Sequence, residues 1–227
     1  MKIIEFLLII FLVFLLGQYF ITVPSWASES TPSPEPTAQV VEIREYQGEK
    51  LGSVNDFREN SIQGIQNVDV SSYRLVVDGL VEKPLTLSYD ELKGYPHQKK
   101  LHPILCVEGW DVTALWEGIP LLDLFKNTTP KGEANTVIFH STDGYTTSLS
   151  LDYLREKNII IADHINGLVL PPAQGFPFML VAEDKWGYKW ARWINRIELS
   201  NDPNYRGYWE KRGYSNKGDT QGSMLGE

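Results

Sequence analysis

Leu101-His102-Pro103-Ile104-Leu105-Cys106-Val107-Glu108-Gly109-Trp110 is the stretch on which the reading of this chain turns. Its apolar residues run to a glycine, so the sequence predicts a strand over Leu101 to Val107 that delivers Cys106 to its end. Cys106 is the single cysteine of the 227 residues, which excludes an intramolecular disulfide. Taken alone, a cysteine closing an apolar strand reads as a small buried core residue. Its neighbours decide whether it is more.

To either side lie other short β-rich runs. Tyr73 to Asp78, Leu85 to Leu87, Thr136 to His140, Thr146 to Leu149, Ile159 to Ala162, Phe178 to Ala182 and Trp193 to Leu199 read as strands. Ser88 caps a brief helix containing Asp90, Glu91 and Leu92, because its hydroxyl accepts an orphan helix N–H. Pro120 to Phe125 reads as a helical turn and Leu151 to Glu156 as a helix, while Asp143-Gly144 reads as a tight turn. Helices and strands alternate too irregularly for a parallel doubly wound sheet, and no Gly-rich phosphate loop follows a strand. The expectation is a single mixed, β-rich α+β domain.

Composition narrows the function classes. Hydrophobic residues are 42% and aromatics 12%, enough for a real core. A net charge of −8 argues against a nucleic-acid partner, which would call for a basic face. The four histidines, His97, His102, His140 and His164, are widely spaced, which speaks against a zinc site.

The first 28 residues read as a separate object. Ile3 to Ile21 is nearly all apolar, and at ~1.5 Å per residue it just spans a bilayer core of roughly 30 Å. Ser25-Trp26-Ala27 offers a small-residue cleavage site, so a cleaved signal peptide and a retained anchor fit equally well. The flank carries Glu29 and Glu35 and no early base, which places the rest outside the cytoplasm, anchored or secreted. Residues 29–39, with Pro32, Pro34 and Pro36, form an extended linker. The folded domain is expected over 40–214, followed by a polar tail over 215–227 that frays.

Several ordered blocks give Cys106 its company. They are Val-Asp-Gly-Leu-Val at 77–81, Cys-Val-Glu-Gly-Trp at 106–110, Trp-Glu-Gly-Ile-Pro-Leu at 116–121 and Asp-Gly-Tyr at 143–145. Asn-Gly-Leu-Val-Leu-Pro at 166–171, Gly-Phe-Pro at 175–177 and Trp-Gly-Tyr-Lys-Trp-Ala-Arg-Trp-Ile at 186–194 follow. In this order and spacing, over roughly Asn55 to Tyr214, the chain resembles the molybdopterin-binding domain shared by sulfite oxidases and periplasmic methionine-sulfoxide reductase catalytic subunits. The resemblance implies a sulfite-oxidase-type fold and a molybdopterin cofactor carrying molybdenum or tungsten, with Cys106 as its metal ligand. A thiolate suits a high-valent metal, being soft and anionic, and the metal keeps it deprotonated. By the same resemblance, Asn55, Arg58, Glu59, Ser141, Gln174, Gly187, Tyr188 and Lys189 are candidate cofactor contacts. Lys185 and Arg192 stay open between cofactor contacts and surface charges. The tryptophans around Trp110, Trp116, Trp186, Trp190 and Trp193 read as core before substrate funnel.

Three departures bear on the substrate. Asp163, with His164 beside it, stands where sulfite oxidases carry a tyrosine next to the metal; either can move protons, so both are candidate catalytic residues. Met179 replaces an arginine, and Gln174 stands where relatives have Asn or His. Sulfite, a small dianion, needs clustered cations, so a neutral S-oxide or N-oxide fits better. The implied activity is two-electron oxygen-atom transfer on a small sulfur- or nitrogen-centred substrate. A separate electron-transfer protein is the implied partner, since no Cys-x-x-Cys-His haem site exists in the chain. The membrane is a further partner if the N-terminal segment is retained. The alternative is a cofactor-free binding or structural module of the same fold. Lys2 as the only base before the apolar run leaves no twin-arginine export signal, which favours that alternative.

Overall fold

In the computed structural model, which describes residues 40–226, the β-branched and aromatic runs form two five-stranded sheets over one continuous apolar core. Twelve strands are found among the described residues: β1 Glu45–Tyr46, β2 Glu49–Lys50, β3 Arg74–Gly79, β4 Leu85–Ser88, β5 Gln98–Leu105, β6 Asp111–Pro120, β7 Thr136–Ser141, β8 Thr146–Ser150, β9 Ile160–Ile165, β10 Leu168–Val169, β11 Met179–Leu180 and β12 Ile194–Ser200. Three short α-helices lie between them: α1 Tyr89–Lys93, α2 Leu121–Thr128 and α3 Leu151–Lys157. One sheet runs β4-β3-β12-β7-β8, and only its β3–β12 pair is parallel. The other runs β10-β9-β6-β5, with β11 also on β9, and β1–β2 is a separate ribbon. The fold is mixed and β-rich, as the sequence implied.

Local signals that read true are those whose partners are close in sequence. Ser88 and Glu91 exchange the two hydrogen bonds of a capping box at α1. Asn166 (φ 50°) and Gly167 (φ 77°) make the two-residue turn joining β9 to β10, where both central residues must be left-handed.

Other expectations need correcting. Residues 111–120 form the longest strand, β6, which pairs with both β5 and β9 at the centre of its sheet. At its Gly118 a Cβ would lie 2.0 Å from the Ile161 carbonyl oxygen, so the glycine lets two strands approach. The strand expected over Leu101 to Val107 spans Gln98–Leu105 instead. Cys106 is the first residue beyond it, because the Cys106 N–H turns to the Trp110 carbonyl and its own carbonyl takes the Gly109 N–H. Only Met179–Leu180 of the run Phe178 to Ala182 is strand, since Lys185 N–H already bonds back to Ala182. The helix expected from Pro120 starts one residue later, with Pro120 as its N-cap, and continues to Thr128.

The tail does not fray over its described part, 215–226. Ser215 N–H bonds to Met224, Trp186 N–H to Gly218 and Thr220 N–H to Asp184, and Lys185 pairs with Asp219. The N-terminal apolar segment and the linker lie outside the described residues. No helix among the described residues is long and apolar enough to cross a membrane.

Asn166 shows how polar groups hold the core in register. Its buried side chain accepts from the Leu115 N–H (2.9 Å) and donates to the Gly52 carbonyl (2.8 Å) and to Glu42 (3.1 Å). Asn166→Ala strands a buried backbone N–H, so it should lower stability by about 2–3 kcal/mol. Urea denaturation should show the midpoint fall with an unchanged slope.

Candidate functional site

Because β5 is paired along its whole length with β6, the turn at its end is fixed, and Cys106 sits there, 7% exposed. The turn opens on a cleft of about 1130 Å³, solvent at its mouth included. Segments distant in sequence line it: 57–62, 104–110, 141–145, 173–179, 187–193, and Trp209 with Tyr214 from the tail.

Burial pushes the Cys106 thiol up, against the Glu108 backbone N–H, which favours the thiolate. The sulfur has two side-chain neighbours of opposite character. The Glu108 carboxylate lies 3.9 Å away and can only accept, and the Asn60 side-chain amide reaches it at 3.6 Å. Glu108 is itself held by the Trp110 indole N–H at 3.3 Å. Across the turn, the backbone of Gly187 packs on β5: a Cβ there would lie 3.2 Å from the Leu105 carbonyl oxygen.

The cleft's polar floor comes from the end of β7. Ser141 is buried, and its hydroxyl has no hydrogen-bond partner among the described residues. Asp143, also buried, accepts from the Tyr145 N–H at 3.0 Å, and the Tyr145 hydroxyl donates to the Tyr188 carbonyl. Gln174 donates to the Val54 carbonyl (2.9 Å), and the Tyr188 hydroxyl to that of Ser215 (2.7 Å).

Of the residues singled out in the sequence, Arg58, Glu59, Cys106, Ser141, Gln174, Gly187 and Tyr188 are brought together on this cleft. Asn55, Lys189, Asp163 and His164 are not among its lining residues. Asn55 is exposed on a short 3-10 turn, Val54–Asp56, where its N–H bonds to the Ser53 hydroxyl. Lys189 is fully buried: its ammonium is taken by Glu210 at 2.6 Å and by the Ser148 carbonyl at 3.1 Å. The cation of this segment that reaches the cleft is Arg192, three residues on. It donates to the Ala173 carbonyl (2.9 Å) and to Asn60 (3.2 Å), lies 3.6 Å from Glu59 and stacks over the Trp193 ring at 4.6 Å. Lys185 is held by Asp219 instead.

Sequence reasoning missed Asn60, which follows the Arg58-Glu59 pair without any signal of its own. It quoted Asp143 within a block without giving it a role. Of the tryptophans read as core, Trp110, Trp190 and Trp193 line the cleft, and the last two are buried as well.

Asp163 and His164 belong to a second cluster, on β9. The buried Asp163 carboxylate accepts from His164 Nδ1 (2.8 Å) and from His97 Nε2 (3.0 Å). Burial pushes this carboxyl up, but the two imidazoles outweigh it and hold it below the usual range. The same hydrogen bond raises His164 above an ordinary histidine, against its partial burial.

The comparisons with known proteins point to one family. A family model described as oxidoreductase molybdopterin binding domain matches residues 62–209. The chain is 35% identical to the uncharacterized oxidoreductase YuiH of Bacillus subtilis, over 66% of this chain and 76% of that one. It is 32% identical to a putative protein-methionine-sulfoxide reductase subunit, YedZ1, of Azospira oryzae, over 66% of this chain and 57% of that one. To the protein-methionine-sulfoxide reductase catalytic subunit MsrP of Xanthomonas axonopodis it is 27% identical, over 76% and 63%. Among solved structures, the sulfane dehydrogenase SoxCD of Paracoccus pantotrophus superposes with a TM-score of 0.61 at 20% identity, over 68% of this chain and 43% of that one. That likeness is one of fold. The chain thus spans less than two thirds of the reductase subunits and of the dehydrogenase.

Two outcomes follow from these ion pairs. Lys189→Met leaves Glu210 charged and buried, and should cost about 3–5 kcal/mol, whereas Lys189→Met with Glu210→Leu should recover most of it; chemical denaturation of the three chains measures this. For Asp163, a lowered carboxyl contributes stability above its unfolded pKa, and the raised His164 contributes below its own. The stability difference between the wild type and Asp163→Asn should therefore be largest between about pH 4 and 6.5, the ordinary values of the two groups. It should shrink as pH falls through the lowered Asp163 pKa and as it rises through the raised His164 pKa, which denaturation across pH reads directly.

Proposed function

This chain belongs to the oxidoreductase molybdopterin-binding domain family, and from that premise we propose that it performs two-electron oxygen-atom transfer on a small sulfur- or nitrogen-centred substrate, with Cys106 as the one protein ligand to molybdenum or tungsten. The observation that carries this reading is the convergence of Cys106, the unpartnered Ser141 hydroxyl and Arg192 on one cleft.

The residues present fit the cofactor. It needs a soft anionic ligand, close backbone and cationic donors for its phosphate, and the cleft supplies Cys106, Gly187 and Arg192 in those roles. The buried Ser141 hydroxyl is a polar atom otherwise left unsatisfied, as a residue waiting for a ligand would be. Arg58, Glu59, Gln174 and Tyr188 stand ready as further contacts, whereas Lys189, off the cleft, has its ammonium engaged by Glu210. When bound, molybdopterin supplies a metal that exchanges an oxygen atom and two electrons with the substrate.

The chain's own residues do the rest. Phe57, Trp110, Trp209 and Tyr214 wall the cleft with aromatic surface that excludes water. Among charged lining residues, two arginines face three carboxylates, Glu59, Glu108 and Asp143, and Met179 adds no charge. Such a lining offers little to a dianion such as sulfite and tolerates a neutral oxide. The relatives named for methionine sulfoxide, itself a neutral S-oxide, support the same substrate class. A separate protein is taken as the electron partner, in keeping with relatives named as subunits of a reductase. The acidic flank of the apolar N-terminal segment, which lies outside the described residues, supports a location outside the cytoplasm.

Elemental analysis of protein purified from its native host tests the reading, with about one molybdenum or tungsten per chain expected, as a one-thiolate site requires. Cys106→Ser should lose the metal while keeping the fold by circular dichroism. A folded wild type that carries neither metal nor pterin would overturn it.

A further inference from the structure

The Asn60 side chain lies between the cleft's guanidinium and its sulfur. Arg192 carries only donors, so the Asn60 amide oxygen must face it, and the Arg192 Nη2 to Asn60 Oδ1 distance is 3.2 Å. The planar amide then turns its NH₂ the other way, where Nδ2 reaches Cys106 Sγ at 3.6 Å. The orientation of this amide is thus dictated by chemistry. Arg192 is itself immobilised by the Ala173 carbonyl, Glu59 and the Trp193 ring, so a relay of fixed groups ends on the sulfur.

We propose that Asn60, gripped by Arg192, is the positioning residue of the metal ligand: its amide donates to the Cys106 sulfur and sets how much electron density that sulfur offers. This rests on Cys106 being the ligand. A neutral thiol has a proton to direct at Glu108, 3.9 Å away; a metal-bound thiolate has none and can only accept. The Asn60 amide is placed for that second state. A hydrogen bond onto a ligating sulfur withdraws charge from it, favours the reduced metal and raises the energy needed to move an electron from sulfur to metal.

The test compares cofactor-loaded full-length protein carrying Asn60→Leu, which lacks the donor at similar size, and Asn60→Gln, which keeps it. Metal content, melting temperature, the midpoint potential of the metal and the sulfur-to-metal absorption band are read for each. Asn60→Leu should lower the potential and move the band to longer wavelength, while Asn60→Gln stays closer to the wild type on both. Loss of metal from a normally melting Asn60→Leu, with metal kept in Asn60→Gln, also supports the proposal. Unchanged potential and band in a loaded Asn60→Leu overturn it, as do equal effects, whether shift, metal loss or misfolding, in both variants. Cys106→Ser separates the two readings. If that variant retains metal and band, Cys106 is not the ligand and both fail; if it loses them while Asn60→Leu is silent, only the role of Asn60 fails.

Discussion

Everything about the cleft depends on one buried charge pair. Lys189 and Glu210 have no exposed side-chain surface and meet at 2.6 Å; Thr147 also donates to Glu210 Oε1 and Lys189 to the Ser148 carbonyl, while Glu210 Oε2 has no hydrogen-bond partner among the described residues. Two such charges are tolerable inside a protein only together, because removing either leaves the other without water or counter-ion. The pair therefore obliges three segments to meet: strand β8, the turn that carries Gly187 and Tyr188, and the tail around Glu210. Trp209 and Tyr214, which wall the cleft, flank that glutamate in sequence. The specificity of a buried ion pair, more than its net stability, is what builds this wall.

Against that tail stands a rigid sheet. The end of β5 is the place where the chain leaves the sheet, so the Cys106 turn has no freedom to drift, and Gly187 packs its backbone against it. Asn166 performs a similar task on the opposite side of β6, replacing a missing backbone partner for Leu115 with its side chain. Polar groups inside this protein thus act as fasteners at points where strands end. The apolar core supplies the cohesion between them.

What was legible in the sequence follows from how far apart the deciding residues are. Ser88 and Glu91 are three residues apart, and the Ser88 cap was readable because its chemistry is local. The strand β6 was not, because Gly118 and Pro120 look like breakers until Ile161 is known to lie against the glycine. The tail was misread for the same reason, its partners Asp184 and Trp186 lying some thirty residues upstream. At the site, Cys106, Ser141 and Gly187 could be placed from ordered blocks. Lys189 and Arg192 could not be told apart: both are cations on one short segment, and Glu210 decides which of them turns inward. Asn60 gave no sign at all, since its meaning lies in Arg192 and Cys106, both far along the chain. Asp163 was read from the residue it replaces, and the fold surrounds it with histidines away from the cleft.

The arrangement around Arg192 also bears on which substrates the cleft accepts. A guanidinium has five donors, and here they are spent on Ala173, Asn60 and a carboxylate, with any cofactor phosphate competing for the remainder. The other arginine of the lining, Arg58, is exposed, where a charge is well solvated and pulls weakly on an incoming anion. On the proposed reading, a dianion entering would lose its hydration among three carboxylates, with only the solvated Arg58 and the engaged Arg192 to replace it. A neutral oxide of the proposed class would lose far less and could set its apolar groups against aromatic lining such as Phe57 and Trp110. On the proposed reading, the contacts that hold Arg192 against Asn60 and Ala173 thus weigh against a small anion as the substrate.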